Sequence, residues 1–333
     1  MLRTLGHPWR LLRVAAVFGI ILLVLSVARD SDSLPATDWT SHNDAGHAAD
    51  ICRPHGWKPF HPANPSRPRK VDFFVLVESR KTFTSHDKPL TLLDNFDRFE
   101  PYHAKIIYHE VEYPADFKPR RTWDMEDLQC NSMLTQVFPR LKGRHAPQKG
   151  DVLVVSDVDE IPRPSTLRLL RACHFRRRLT LYSRFYYYSY QWLHRGAEWP
   201  HPQATYYQGP GRTLLPNDLR IADGGMWPFR EWEKGGLPNA SWHCSSCFET
   251  VGELLGKMAS FSHTGPNKDK YRDKQRIVDR IRNGKDLRDH EGEVYDRVEG
   301  NTDVPRFLLE NRERFGYMLD RDGPTAGFTD IQT

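Results

Sequence analysis

The sequence predicts an α/β domain built on a mainly parallel central sheet. Two short, nearly continuous apolar runs carry that prediction, Val71–Glu78 and Asp151–Val155; strands buried on both faces lose the alternation of polar and apolar residues. Segments of helical period follow each run, and alternation of strand and helix is the pattern of layered α/β domains. A chain of 333 residues with 38% hydrophobic and 12% aromatic residues has the material for a large core. No fixed-period repeat points to a solenoid or propeller.

The N-terminus sets the expected compartment. Leu11–Ala28 is interrupted only by Arg13. As a helix it would span about 27 Å, enough for a thin bilayer. Arg3, Arg10 and Arg13 lie at its start with no acid among residues 1–28, which orients the bulk of the chain across the membrane. The reading is a cytoplasmic tail over 1–10 and a signal anchor over 11–28; a signal peptide cleaved near Ala28 is the alternative. Residues 29–70 hold Pro35, Pro54, Pro59, Pro62, Pro65 and Pro68 with almost no aliphatic run and read as an extended stem. The globular domain is expected over 71–320, with a polar tail over 321–333.

Within that domain Lys105–His109 is a second strand candidate. Arg121–Leu141 has helical spacing, with Pro139 near its end. Ser165–Cys173 reads as a short helix that Ser165 would cap. Leu181–Trp192 is aromatic and extended. Thr250–Phe261 and Asp269–Asn283 read as helices, the second stopped by Gly284.

Charge narrows the function. Lys and Arg total 48 against 43 Asp and Glu, and three of the five excess positive charges lie in residues 1–28. No dense basic block interleaves with the aromatics, so nucleic acid is excluded as the expected partner.

Chemistry concentrates after the best strand. Asp151–Val155 runs into Ser156-Asp157-Val158-Asp159-Glu160-Ile161-Pro162. In extended backbone Asp157 and Asp159 would project together while Val158 faces the core. Two hard oxygen ligands suit Mg²⁺ or Mn²⁺, which also take phosphate oxygens and water. Asp-x-Asp also occurs at Asp30/Asp32 and Asp320/Asp322, but only the middle copy follows an apolar strand. A second cluster is Asn239-Ala-Ser-Trp-His-Cys-Ser-Ser-Cys247. It holds a glycosylation sequon at Asn239 and a Cys244/Cys247 pair. With His243 that pair lacks a fourth zinc ligand, and it does not open a helix as a redox pair would; a disulfide, between these two or with other cysteines, is favoured in an oxidising compartment. A third cluster, Ser260–Asn267, contains His263.

The order of these motifs resembles glycosyltransferase family seventeen, the β-1,4-mannosyl-glycoprotein 4-β-N-acetylglucosaminyltransferases and their microbial relatives. Five blocks carry the resemblance: Val71–Glu78 with Thr82-Phe-Thr84 and Lys88-Pro-Leu90; Glu126, Gln129 and Asn131; Ser156–Pro162; Trp242–Phe248; and Lys257–His263 with Asn267. Three positions depart from the family pattern, Cys130 for Arg, Ser241 for Gly and Ser246 for Trp, and they bear on acceptor choice more than on reaction type.

The resemblance implies a nucleotide-diphosphosugar transferase (GT-A-like) fold and UDP-N-acetylglucosamine as donor. It implies Asp157, Asp159 and His263 as ligands of a divalent cation, Mn²⁺ or Mg²⁺. Glu78, Lys88, Glu126 and Asn131 become candidates for donor contacts. An inverting displacement needs a base for the acceptor hydroxyl; Glu126 and Glu249 qualify, and Glu160 and His243 rank above them. The expected protein is thus a Golgi type II membrane enzyme acting on a mannose-containing glycan of a glycoprotein. A membrane-anchored carbohydrate-binding protein without catalysis is the alternative.

Overall fold

A computed structural model describes residues 20–25, 50–60, 71–83, 85–221, 230–260 and 269–331. Twelve strands are present among them: β1 (Ile20–Leu25), β2 (Lys58–Pro59), β3 (Phe73–Glu78), β4 (Ile106–Glu110), β5 (Val152–Asp157), β6 (Glu160–Pro162), β7 (Cys173–His174), β8 (Arg178–Tyr187), β9 (Trp192–His194), β10 (Gln203–Tyr206), β11 (Lys234–Ser245) and β12 (Tyr295–Arg297). The α-helices are α1 (Thr91–Asp94), α2 (Thr122–Ser132), α3 (Pro164–Ala172), α4 (Pro216–Arg220), α5 (Arg230–Glu233), α6 (Val251–Ser260), α7 (Lys274–Arg282), α8 (Arg306–Glu310) and α9 (Arg312–Leu319).

Ten strands form one sheet, in the order β12-β9-β8-β10-β5-β1-β3-β4, with β11 paired to β8 and β6 paired to β11. The expectation of a mainly parallel sheet fails. Only β3–β4 and β8–β11 pair in parallel, and the other pairings are antiparallel. The connections explain why. Parallel neighbours need a crossover, which the helical segment 91–105 supplies between β3 and β4. By contrast β6 turns straight back from β5, β9 folds back on β8, and β10 inserts between β5 and β8.

Strand direction nevertheless has an order that pairing hides. Both β3 and β5 are antiparallel to β1, and both β5 and β8 are antiparallel to β10. Hence β3, β4, β5, β8 and β11 all run the same way, and their carboxyl ends emerge along one edge. Glu78, Asp157, Tyr187 and Ser245 are the last residues of four of them.

The apolar run of β5 is buried on both faces, as its composition requires. Val152 and Val154 meet α3 through Leu167, Leu169 and Leu170. Leu153 and Val155 meet Cys130, Met133, Val137 and Phe138. These four lie on α2 and its continuation, a π-turn over Met133–Val137 and a 3₁₀ turn over Phe138–Arg140. Pro139 falls in that last turn, so Arg121–Leu141 is helical nearly throughout, but not α-helical to its end. Pro164, not Ser165, opens α3, with Arg163 at the cap position. Gly284 follows α7 at φ +58°, where an added Cβ would lie 2.3 Å from the Trp192 ring.

Three boundaries differ from expectation. Residues 20–25 of the expected membrane span are strand β1, paired antiparallel to β3 and β5; the rest of 11–28 lies outside the described residues. Among the described residues no helix is long and apolar enough to cross a membrane. Residues 50–60 of the expected stem belong to the fold: Cys52 is fully buried and disulfide-bonded to Cys173, and β2 pairs with β7. The expected tail is structural too. Ala326 and Phe328 are buried, and the Asp330 carboxylate accepts the N–H groups of Val251 (2.8 Å) and Gly252 (3.0 Å) at the start of α6. Arg321 is completely buried. Its guanidinium donates four hydrogen bonds to the carbonyls of Tyr188, Phe248 and Ala326.

Candidate active site

A cavity of about 970 Å³ opens at the edge where the like-directed strands end. Asp157 and Asp159 line it, but not as extended backbone would place them. The strand stops at Asp157, and residues 158–159 are a turn leading into β6. Val158 consequently faces the cavity instead of the core. The turn is pinned from three sides. Ser156 Oγ donates to the Glu160 carbonyl (2.6 Å), the Asp157 N–H to the Glu160 carboxylate (2.9 Å) and the Cys244 N–H to the Asp159 carbonyl (3.2 Å).

Each aspartate meets cations. Arg220 Nη2 lies 2.7 Å from Asp157 Oδ2, and Nη1 lies 3.4 Å from Glu160 Oε2. Asp159 Oδ2 lies 3.6 Å from both His243 Nε2 and Lys257 Nζ. Burial pushes Asp157 up, against Arg220, and the neighbouring carboxylates Glu160 and Asp159 push the same way. At Asp159 burial acts upward but His243 and Lys257 prevail, holding the carboxyl well below its usual range. One turn thus presents a carboxylate kept ionised beside one resisted by its neighbours, and a bound cation would relieve that repulsion.

Glu160 is placed differently from His243. Its carboxylate is buried and takes three donors, the Trp199 indole N–H (2.8 Å), the Asp157 N–H and Arg220; the side chain does not line the cavity. His243 does line it. Its ring stacks on Phe185 at 5.0 Å and lies 5.0 Å from Trp199. β11 delivers it through pairing of His243 with Glu160 and Phe185.

Of the four donor-side residues only Glu126 lines the cavity. Glu78 accepts the N–H groups of Leu92 (2.9 Å) and Leu93 (3.1 Å), fixing α1. Lys88 is half-buried; burial depresses its amine while Glu78 acts the other way. Asn131 Oδ1 accepts the Asn217 N–H (3.0 Å) and so ties α2 to α4, the helix that carries Arg220. His263 lies outside the described residues. Cys244 and Cys247 are disulfide-bonded. Asn239 is exposed on β11 and accepts from Arg163 Nη2 (2.6 Å).

Sequence reasoning missed Arg220, His201 and Trp199, all lining the cavity. No local pattern marks Trp199 or Arg220, because their partners lie 39 to 63 residues away. Burial, then Arg220, pushes His201 down to about 4, so it is a neutral ring at pH 7. Asp286 shapes the opposite wall: its carboxylate accepts the N–H groups of Arg288 (2.8 Å) and His290 (2.9 Å), two residues that line the cavity.

The model of glycosyltransferase family 17 matches residues 66–323, most of the chain and all of the strands that end at the cavity. The chain belongs to glycosyltransferase family 17. It is therefore a glycosyltransferase. A human protein, beta-1,4-mannosyl-glycoprotein 4-beta-N-acetylglucosaminyltransferase, is 27% identical over 282 residues, covering 75% of this chain and 50% of the relative. This family 17 chain thus spans about half the length of that curated relative. No solved structure matches it.

Among the described residues no group of three or more His, Cys, Asp or Glu side chains is arranged to hold a metal ion. Asp157 and Asp159 fit a weaker requirement. Two adjacent carboxylates at a strand end suit a hard divalent cation that draws its other ligands from a diphosphate and water.

Proposed function

We propose that this family 17 enzyme transfers N-acetylglucosamine from UDP-N-acetylglucosamine to a mannose-containing glycan of a glycoprotein, with inversion and with a divalent cation held by Asp157 and Asp159. The observation that carries the reading is the pair of aspartates on a pinned turn at the carboxyl edge of the sheet, inside the large cavity. The donor and acceptor classes rest on the printed activity of the human relative. A GT-A-like arrangement of the fold belongs to the same proposal, as does action in the Golgi lumen, to which the disulfides Cys52–Cys173 and Cys244–Cys247 lend support.

A divalent cation would supply Lewis-acid stabilisation of the charge that grows on the departing UDP. The chain's own residues do the rest. Arg220 holds Asp157 in place and adds positive charge beside the diphosphate. Lys257, 3.6 Å from Asp159, does the same on the other side. His243 is the better base of the two ranked candidates, because it faces the cavity while the Glu160 carboxylate is fully engaged. Glu160 is a positioning residue. The aromatic wall of Phe185, Tyr187, Trp199 and Tyr295 offers faces for sugar rings.

The test is UDP release by the purified protein from a panel of UDP-sugars, with a mannose-containing glycoprotein glycan as acceptor and with Mn²⁺ or chelator. Release selective for UDP-N-acetylglucosamine and lost with chelator is expected. Release unaffected by chelator overturns the cation assignment. Glycan binding with no turnover of any donor overturns catalysis and favours a carbohydrate-binding protein.

A further inference from the structure

A second cavity, of about 310 Å³, lies on the other side of α4 from the active site. Leu219 of α4 lines it, whereas Arg220 next along the chain lines the catalytic cavity. Arg178, Thr180 and Tyr182 project into it from one face of β8, joined by Gln203 of β10 and Lys234 of β11. Its volume sits at the lower end of small-molecule sites, which begin at about 300 Å³.

The guanidinium of Arg178 is the unusual group. The side chain is 4% exposed, and among the described residues its one acceptor is Glu233 Oε2, 3.4 Å from Nε. Among the same residues both terminal nitrogens, Nη1 and Nη2, are buried without a hydrogen-bond partner. Glu233 does not neutralise it alone, because its other oxygen lies 3.2 Å from Arg177 Nη1. Lys234 adds no free charge, since its ammonium lies 2.6 Å from Glu231. Thr180 and Gln203 are already bonded to each other at 3.0 Å. Among the described residues the cavity therefore holds about one uncompensated positive charge on a planar fork of donors. Leaving such donors buried and unmatched is costly, and the ligand that removes the cost is a planar monoanion bound through two parallel N–H···O bonds.

We infer that this cavity is a binding site for a small carboxylate-bearing molecule of monosaccharide size, gripped by Nη1 and Nη2 of Arg178. The site is separate from the transfer reaction proposed above and does not depend on it. A carboxylate is favoured over a phosphate because one net cation faces the cavity, where a phosphate dianion calls for two.

The experiment is thermal unfolding of the full chain against sodium glucuronate, with glucose and inorganic phosphate as probes at matched ionic strength. Glucuronate is expected to raise Tm with concentration, by on the order of 5 °C at a hundredfold excess over its Kd, and glucose to leave it unchanged. Arg178→Met is expected to unfold cooperatively, at the wild-type Tm or above, and to lose the glucuronate response. Should that variant not fold, hydrogen exchange on the wild-type protein replaces it: glucuronate is expected to slow exchange in 178–182 and 234–237. No response of the wild type, an equal response of Arg178→Met, or protection only at the catalytic cavity overturns the site. Stabilisation by phosphate but not by glucuronate overturns the carboxylate.

Discussion

The backbone N–H of Asp157 donates to the side-chain carboxylate of Glu160 at 2.9 Å. A residue three places along the chain thereby holds the aspartate that faces the cavity, and the same carboxylate reaches Arg220 and Trp199. The acidic motif divides into two residues that line the cavity and one that fixes their turn.

Asp159→Ala is expected to lower UDP release by about 10²–10³-fold, the scale of losing one electrostatic element of an active site. Its Tm should fall modestly at pH 7, since the contacts with His243 and Lys257 that hold the carboxyl ionised are lost. Kinetics on the soluble variant, paired with a melting curve, checks both halves. Full activity would remove Asp159 from the site.

Glu160→Gln should behave in the opposite proportion. An amide still accepts from Trp199 but leaves Arg220 with one anion instead of two. The expected loss is roughly 1–3 kcal/mol of stability, the range for a buried donor left unmatched, measured by denaturant unfolding. Activity should fall, but the pH dependence of what remains should keep the wild-type shape, as expected of a positioning residue and not of the base. His243→Gln should change that shape.

Asn131→Ala removes the cap that α2 places on α4. Capping losses run at about 1 kcal/mol, so the fold should survive. The activity defect should exceed that of a substitution at the exposed Trp232, which touches neither helix.

Cys52→Ala is expected to cost about 2–5 kcal/mol, because the bridge to Cys173 closes a separation of 121 residues. An extended stem would lose nothing on this change. Unfolding of the variant against wild type, with and without reductant, decides between the two.

Asp303 gives the pH dependence. Its carboxyl is held below its ordinary value chiefly by the hydrogen bond from Arg163, with Nη2 2.8 Å from Oδ2. A lowered folded-state value means the pair stabilises the protein above the unfolded carboxylate value of about 3.9, and that this contribution is lost as pH falls through the lower folded value. Asp303→Asn should therefore melt below wild type at pH 7, and the two curves should converge in acid.

What could be read from the chain beforehand depended on locality. β5 was legible because burial on both faces writes a continuous apolar run into the four consecutive residues Val152–Val155, and the aspartates followed from where that run stops. The helical segment 122–140 was legible for the same reason, through its period. Strand pairing was not. A pattern of apolar residues is the same whichever way the neighbour runs, so nothing in β10 announces that it lies antiparallel between β5 and β8. Arg220 was equally silent, since its role is set by Asn131, which pins its helix from 86 residues away. The expected polar tail failed because Asp330 and Arg321 look solvated in sequence, while the partners that bond them, Val251 and Gly252 for one, Tyr188 and Phe248 for the other, lie 73 to 133 residues away.

The carbonyl of Tyr188 accepts from a guanidinium 133 residues further along the chain. A ribosome that has finished β8 therefore leaves the aromatic cluster around Tyr188 and Trp192 unsealed until Arg321 has been synthesised and has cleared the exit tunnel. Over that interval the carbonyls of Tyr188 and Phe248 lack the guanidinium that bonds them in the folded domain.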